Sequence, residues 1–242
     1  MKRYGYFLDL LKLDIEKYPV IAVVGGGGKT SLIYRLNEEL QALGKKVIIS
    51  TTTHMAYNPM LPLVKSADLK RTPEMLKEHG FTAVADIEES SGKMCAIEEA
   101  ELKKMVPLCD VMLIEADGAK RMPCKAPAAH EPVILPQCDT VLAVAGLSAL
   151  ERPLGAVCFR AEQAAALLGV PQDTILTPEL LAALLASSQG GRKLVGSRVF
   201  CAVLNQADTP QRLLLGKQTL DILQERYQIT GVLTHFEERE RA

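Results

Sequence analysis

The chain has 242 residues, 48% of them hydrophobic and 24% charged, with a formal net charge of −1. That length holds one large α/β domain or two small ones, and the composition excludes disordered and collagen-like classes. No dense Lys/Arg run points to nucleic acid or a membrane surface, no apolar stretch has the length of a membrane span, and Met1 to Leu13 lacks a signal-peptide cleavage site, so the expected compartment is the cytoplasm.

From Tyr4 to Tyr18, the residues Phe7, Leu8, Leu10, Leu11 and Ile15 predict an amphipathic helix. Pro19 to Val24 then predicts a short buried strand running into Gly25, Gly26, Gly27, Gly28, Lys29, Thr30 and Ser31. Ser31 to Leu43 places Leu32, Ile33, Leu36, Leu40 and Leu43 at helical spacing. Strand, glycine loop and helix are the context of a phosphate cradle. Glycines let backbone N–H groups close on phosphate oxygens, and the positive end of the following helix favours the anion. The amides of Gly26 to Thr30 are expected to bind phosphate and Lys29 to reach its terminal groups, while Thr30 stands where a P-loop hydroxyl coordinates Mg²⁺. The full G-x-x-x-x-G-K-S/T spacing would place its first glycine at Val23, so the loop is a variant. A ligand-free turn is the alternative, although adjacent glycines carry an entropic cost that a plain turn does not need.

Gly44 stops the helix, and Lys46 to Ser50 predicts a second strand whose crossover should be parallel and right-handed. Thr51, Thr52, Thr53 and His54 follow at a position suited to switch residues near Mg²⁺. The alternative is that the threonines extend the strand and His54 is an exposed loop residue. Residues 58 to 80 predict a loop and a short helix with Thr72 as N-cap before Pro73. Phe81 to Ile87 and Lys93 to Ile97 predict a hairpin around Ser90, Ser91 and Gly92. Asp110 to Glu115 and Thr140 to Ala145 predict buried strands of a parallel sheet. Helices are expected over Ala161 to Leu168, over Pro178 to Ala186 with Thr177 as N-cap, and over Pro210 to Tyr227. Strands are expected over Val199 to Leu204 and Gly231 to Leu233, before a polar tail. With no linker or internal repeat, the expectation is a single domain over 1–242. Its fold is an α/β P-loop NTPase with a doubly wound, mostly parallel sheet, helices on both faces and a small hairpin insertion.

Glu115 and Asp117, delivered at the end of an apolar strand, are the acids expected to hold Mg²⁺ and orient an attacking water. A strand entering an Asp-Gly turn is the alternative. Lys120, Arg121 and Lys125, with the loop through His130 and Glu131, either serve a transferred phosphoryl group or an anionic substrate, or form a solvated basic loop. Asn205 and Asp208 resemble the N-K-x-D motif of GTPases, in which the carboxylate accepts from guanine and the Asn ties neighbouring loops. Gln206 stands where that motif has lysine, which leaves GTP and ATP both open. The six cysteines, at 95, 109, 124, 138, 158 and 201, include no C-x-x-C pair and are expected to be reduced, individually placed thiols.

Together these elements resemble the SIMIBI class of P-loop NTPases, and Glu115-x-x-Gly118 resembles the E-x-x-G signature of the metallochaperone GTPases UreG and HypB, which usually act as dimers. A longer resemblance, to the YqeC family, rests on VVGGGGKTS at the loop, STTTHM at 50–55, IEADGAKRMPCKAPAAHEPVI at 114–134 and VLNQAD at 203–208. It implies an accessory protein of selenium cofactor biosynthesis, associated with selenium-dependent molybdenum hydroxylases. The partners implied are a nucleotide, a hydroxylase or other maturation proteins, and a second copy in a homodimer. A phosphoryl or nucleotidyl transferase acting on a small cofactor precursor, and a non-catalytic nucleotide-switched docking module, are the alternatives. Cys124, among three cations, is expected to have a lowered pKa and to be able to take a metal or selenium species, with an inert thiol as the alternative.

Overall fold

Short runs rich in Val, Ile and Leu become the strands of the main sheet, buried over almost their whole length as parallel strands covered on both faces must be. The structure, a computed structural model, describes residues 6–236. The predicted helix start at Tyr4 and the end of the polar tail lie outside them. In chain order the elements are α1 (Tyr6–Leu11), β1 (Val20–Gly25), α2 (Lys29–Ala42), β2 (Val47–Thr51), β3 (His54–Met55), β4 (Leu63–Val64), α3 (Thr72–His79), β5 (Phe81–Val84), β6 (Asp86–Glu88), β7 (Lys93–Cys95), α4 (Glu99–Met105) and β8 (Val111–Glu115). Then follow β9 (Cys124–Lys125), β10 (Thr140–Gly146), α5 (Leu154–Val157), β11 (Cys158–Phe159), α6 (Ala161–Leu168), α7 (Pro178–Ala186), β12 (Val199–Asn205), α8 (Pro210–Tyr227) and β13 (Gly231–Leu233). The eight-stranded sheet has the order β13-β12-β10-β1-β8-β2-β5-β4. The pairs β1–β8, β2–β8, β2–β5, β4–β5 and β12–β13 are all parallel.

Contacts group the chain into two compact units. The first comprises the described residues to Val23, Leu32–Asp117 and Val133–Thr140. Here β8 registers Glu115 against both Val23 of β1 and Thr51 of β2. Leu32, Ile33, Leu36 and Leu40 form the fully buried face of α2, each such side chain contributing about 1.5–3 kcal/mol relative to exposure. The buried carboxylate of Glu39 on the same helix accepts from the amides of Phe7 and Leu8, which docks α1. A separate antiparallel sheet, β3-β7-β6, lies outside the parallel ladder.

The second unit comprises Val24–Ser31, Gly118–Pro132 and the described residues from Val141. It holds the glycine loop, most of β10, the β12–β13 pair, the short parallel β9–β11 pair and helices α5 to α8. Helices α7 and α8 begin at Thr177 and Thr209, whose hydroxyls accept from the amides of Leu180 and Arg212.

Three local expectations change. The first helix stops at Leu11 because Lys12 turns to φ 51°. Thr72 is the first helical residue rather than the cap. The 3₁₀ turn Ser66–Arg71 already carries helical backbone into it, Arg71 occupies the cap position, and Thr72 is buried. Phe81–Val84 joins the main sheet beside β2, so the hairpin consists of β6 and β7 alone.

Candidate functional site

Strand β1 ends in the glycine loop, whose conformation only glycine permits. Gly25 has φ 96°, and a Cβ there would run into the Val144 carbonyl. Gly27 has φ 78°, and a Cβ would lie 2.7 Å from the Pro123 oxygen. The Gly26 and Gly27 amides, expected to face phosphate, donate instead to Val144 O (2.9 Å) and Met122 O (3.0 Å). Those bonds anchor the loop, which runs straight into the N-terminus of α2, the helix end that attracts anions. Lys29 is buried and its Nζ donates to Gly25 O at 2.7 Å, which curls the side chain back over the loop.

Beyond β12 the chain returns to the same loop. The Asn205 side-chain amide is buried, with Nδ2 donating to Gly27 O (2.8 Å) and Oδ1 accepting from the Thr234 hydroxyl (3.1 Å). Asp208 accepts from Arg212 Nη1 at 2.6 Å, one helical turn on. A cavity of about 320 Å³ is lined by Gly27, Gly28, Ser31, Ser148, Asn205, Gln206, Asp208, Arg212 and Phe236. It has the size of a small-ligand site, typically ~300–1,000 Å³. Gln206 stands at its wall with φ 68°, and its buried Oε1 has no hydrogen-bond partner among the described residues.

In the first unit, Glu115 and Asp117 are both buried. The Glu115 carbonyl accepts from the Thr51 hydroxyl (2.9 Å) and the Thr52 amide (3.1 Å). The Thr52 hydroxyl donates to Val133 O at 2.7 Å, and Thr53 Oγ1 is buried without a hydrogen-bond partner among the described residues. Burial and then the Glu115 charge push the Tyr34 hydroxyl up to about 12. His54 does not join this group. It is exposed on β3, with Nε2 3.3 Å from Glu88 of the hairpin.

The segment after Gly118 belongs to the second unit. Glu131 is buried and accepts from Lys125 Nζ (2.8 Å), Arg160 Nη1 (2.6 Å) and the Ala128 amide (3.3 Å). Burial opposes its ionisation, but the Lys125 ammonium, the amide and Arg160 hold the carboxyl below its ordinary value. His130, Lys120 and Arg121 are exposed. Cys124 is a correction: a hydrogen bond with Cys158 and then burial raise its thiol well above the usual value. The partner thiol moves the other way: the hydrogen bond with Cys124 first, then the Ala126 amide and the Lys125 charge, lower Cys158 against its burial. Nor is Cys124 solitary, since it registers directly against Cys158 across β9–β11. Among the described residues no cluster of three His, Cys, Asp or Glu could hold a metal ion, and no helix is long and apolar enough to cross a membrane.

Sequence reasoning passed over Arg160, Phe159, Arg212 and Phe236. Only Arg212 carried a signal, its i,i+4 spacing from Asp208. Arg160 reaches Glu131 from 29 residues away, a distance no local pattern spans.

A family model described as YqeC protein matches residues 21–162, which include the glycine loop and the 114–134 segment. A protein of Escherichia coli (strain K12) described as "Uncharacterized protein YqeC" is 38% identical over 197 residues, 77% of this chain and 75% of that protein. The crystal structure of hydrogenase maturation factor HypB from Archaeoglobus fulgidus is similar at TM-score 0.41 and 11% identity, over 91% of this chain and 87% of that one.

Proposed function

This chain belongs to the YqeC family, and from that premise we propose that it is a Mg²⁺-dependent nucleotide-binding protein, a nucleoside triphosphatase with GTP favoured over ATP. It would act as an accessory factor in selenium cofactor biosynthesis and the maturation of selenium-dependent molybdenum hydroxylases. The observation that carries the nucleotide reading is the glycine loop itself. It is pinned by Val144, Met122 and Asn205, opens onto a ligand-sized cavity, and has no room for a Cβ at Gly25 or Gly27.

In this reading the amides from Gly28 and the Lys29 ammonium bind the phosphates, with Ser31, Asn205 and Asp208 at the cavity wall. Thr30, a hydroxyl at the start of α2, and Asp117, a buried carboxylate two residues beyond β8, are the hard oxygen groups that would hold the metal. Mg²⁺, when bound, would neutralise phosphate charge. Lys29 would leave Gly25 O for the terminal phosphate, and Glu115 would orient the attacking water. Calorimetric titration with non-hydrolysable GTP and ATP analogues, with and without Mg²⁺, tests this. Mg²⁺-dependent binding, tighter for GTP and abolished in Lys29→Ala, is expected. Unchanged binding in that variant would remove the cradle assignment.

The basic segment from Lys120 to Lys125 favours a second reading, transfer of a phosphoryl or nucleotidyl group to a small acceptor. Turnover that depends on the acceptor, with little basal hydrolysis, distinguishes it.

A further inference from the structure

Four cations from three stretches of sequence, Lys120, Lys125, Arg160 and Lys193, meet on one part of the second unit. Lys125 and Arg160 hold Glu131, and Lys193 Nζ donates to the carbonyls of Ala128 (2.5 Å) and Ala129 (3.1 Å). Lys120 lies 5.3 Å from the Phe159 ring, over which Arg160 also stacks at 4.4 Å. Arg121 follows directly in the chain. Glu131 is engaged by two of these cations. Lys120 and Arg121 are exposed and make no ion pair with a carboxylate among the described residues.

Their backbone is unusual as well. Lys120 has φ 46°, Arg121 φ 63° and Arg160 φ 62°, so three basic residues of one cluster sit in the left-handed region that glycine favours. A solvated basic loop gains nothing from that conformation, whereas glycine or asparagine would relieve it. The strain is held in place by the turn bond from the Met122 amide to Ala119 O (2.9 Å) and by the Ala126 amide on Phe159 O (3.1 Å). Backbone held in sparsely populated regions clusters at active and binding sites. The segment also abuts the cradle: Met122 O accepts from Gly27, Pro123 O accepts from Gly146 at 2.7 Å, and a Cβ at Gly26 would lie 2.6 Å from Met122 O.

We propose that Lys120 and Arg121, backed by Arg160 on Phe159, form a subsite for the oxyanion of a second substrate: a small molecule bearing a phosphate, pyrophosphate or carboxylate, bound alongside the nucleotide. This rests on the nucleotide reading above and extends it to the acceptor. Two exposed cations that present hydrogen-bond donors with no acceptor among the described residues suit such a group. The rigid 122–124 backbone would set its distance from the glycine loop.

The test uses inorganic pyrophosphate as probe and the double variant Lys120→Gly/Arg121→Gly, which removes both charges while relieving the left-handed strain, so its thermal midpoint should not fall. With the cradle saturated by a non-hydrolysable GTP analogue, pyrophosphate should bind the wild-type protein. Its affinity should drop about tenfold or more in the double variant, the scale of losing charge-assisted hydrogen bonds, while analogue affinity stays the same. No pyrophosphate binding to the loaded protein would overturn the subsite. So would an equal loss of analogue affinity in the double variant, which would assign these cations to the nucleotide's own phosphates. Titrating pyrophosphate into Lys29→Ala protein separates the two proposals. Binding there that depends on Lys120 and Arg121 upholds the subsite even if no nucleotide binds.

Discussion

A buried carboxylate between two cations makes a sign-definite prediction at the scale of single residues. Glu131 has its carboxyl held below the ordinary value, so its contribution to stability is complete above the unfolded pKa, ~4.3, and is lost as pH falls through the lower folded value. Glu131→Gln breaks the ion pair with the Lys125 ammonium, 2% exposed, a change that costs about 3–5 kcal/mol when a buried pair is broken. Urea unfolding of both proteins from neutral pH down to about pH 3 should show a gap that is widest at neutral pH and narrows with acidification, as wild-type Glu131 itself becomes neutral. A gap independent of pH would mean that Glu131 acts by shape rather than charge. Cys124 shows why such assignments need coordinates. Its basic neighbours in sequence suggested a reactive thiol, yet Lys125 pairs with Glu131, Lys120 and Arg121 lie exposed, and the thiol is buried against Cys158. Burial likewise pushes Cys109 and Cys201 up to about 12, as expected of thiols that only fill space.

Helices and strands follow local rules closely in the second half of the chain. The helix over Pro178–Ala186 was readable because a threonine cap, a proline in the first turn and an apolar run all agree, and Thr177 Oγ1 does accept from Leu180. Thr177→Ala should therefore cost about 1 kcal/mol by denaturant titration with unchanged slope, and an unchanged midpoint would show that packing alone holds this helix. Where elements were misread, a neighbour had overridden the local pattern. Phe81–Val84 carries no mark distinguishing a hairpin arm from a strand of the main sheet, and pairing with β2 decides it. Strands β9 and β11, two residues each, have no periodicity to detect and exist because they pair with each other. They nonetheless carry Lys125 and Phe159 into the basic cluster.

At the scale of the whole molecule, nucleotide binding should be visible as stability. A ligand at 100 times its Kd stabilises the folded state by about 2.7 kcal/mol, which for a chain of this length raises Tm by roughly 5–10 °C. Differential scanning with a saturating analogue should show that rise in wild-type protein and none in Lys29→Ala; equal shifts in both would place the ligand elsewhere. The formal net charge of −1 gave no hint of a basic site; the 120–125 segment was legible in the sequence, but Arg160 and Lys193 join it only after folding. The sequence by itself determined the α/β class, the order of the principal strands and helices, and the glycine loop between β1 and α2. Each of these rests on contiguous periodicity or on a backbone conformation that glycine alone tolerates. Tertiary structure alone decided that Gly26 and Gly27 give their amides to Val144 and Met122, that Asn205 closes on Gly27, and that Arg160 shares Glu131 with Lys125. Those contacts join residues far apart in the chain, and their strength comes from burial and from charge brought together by packing, which no local window of sequence contains.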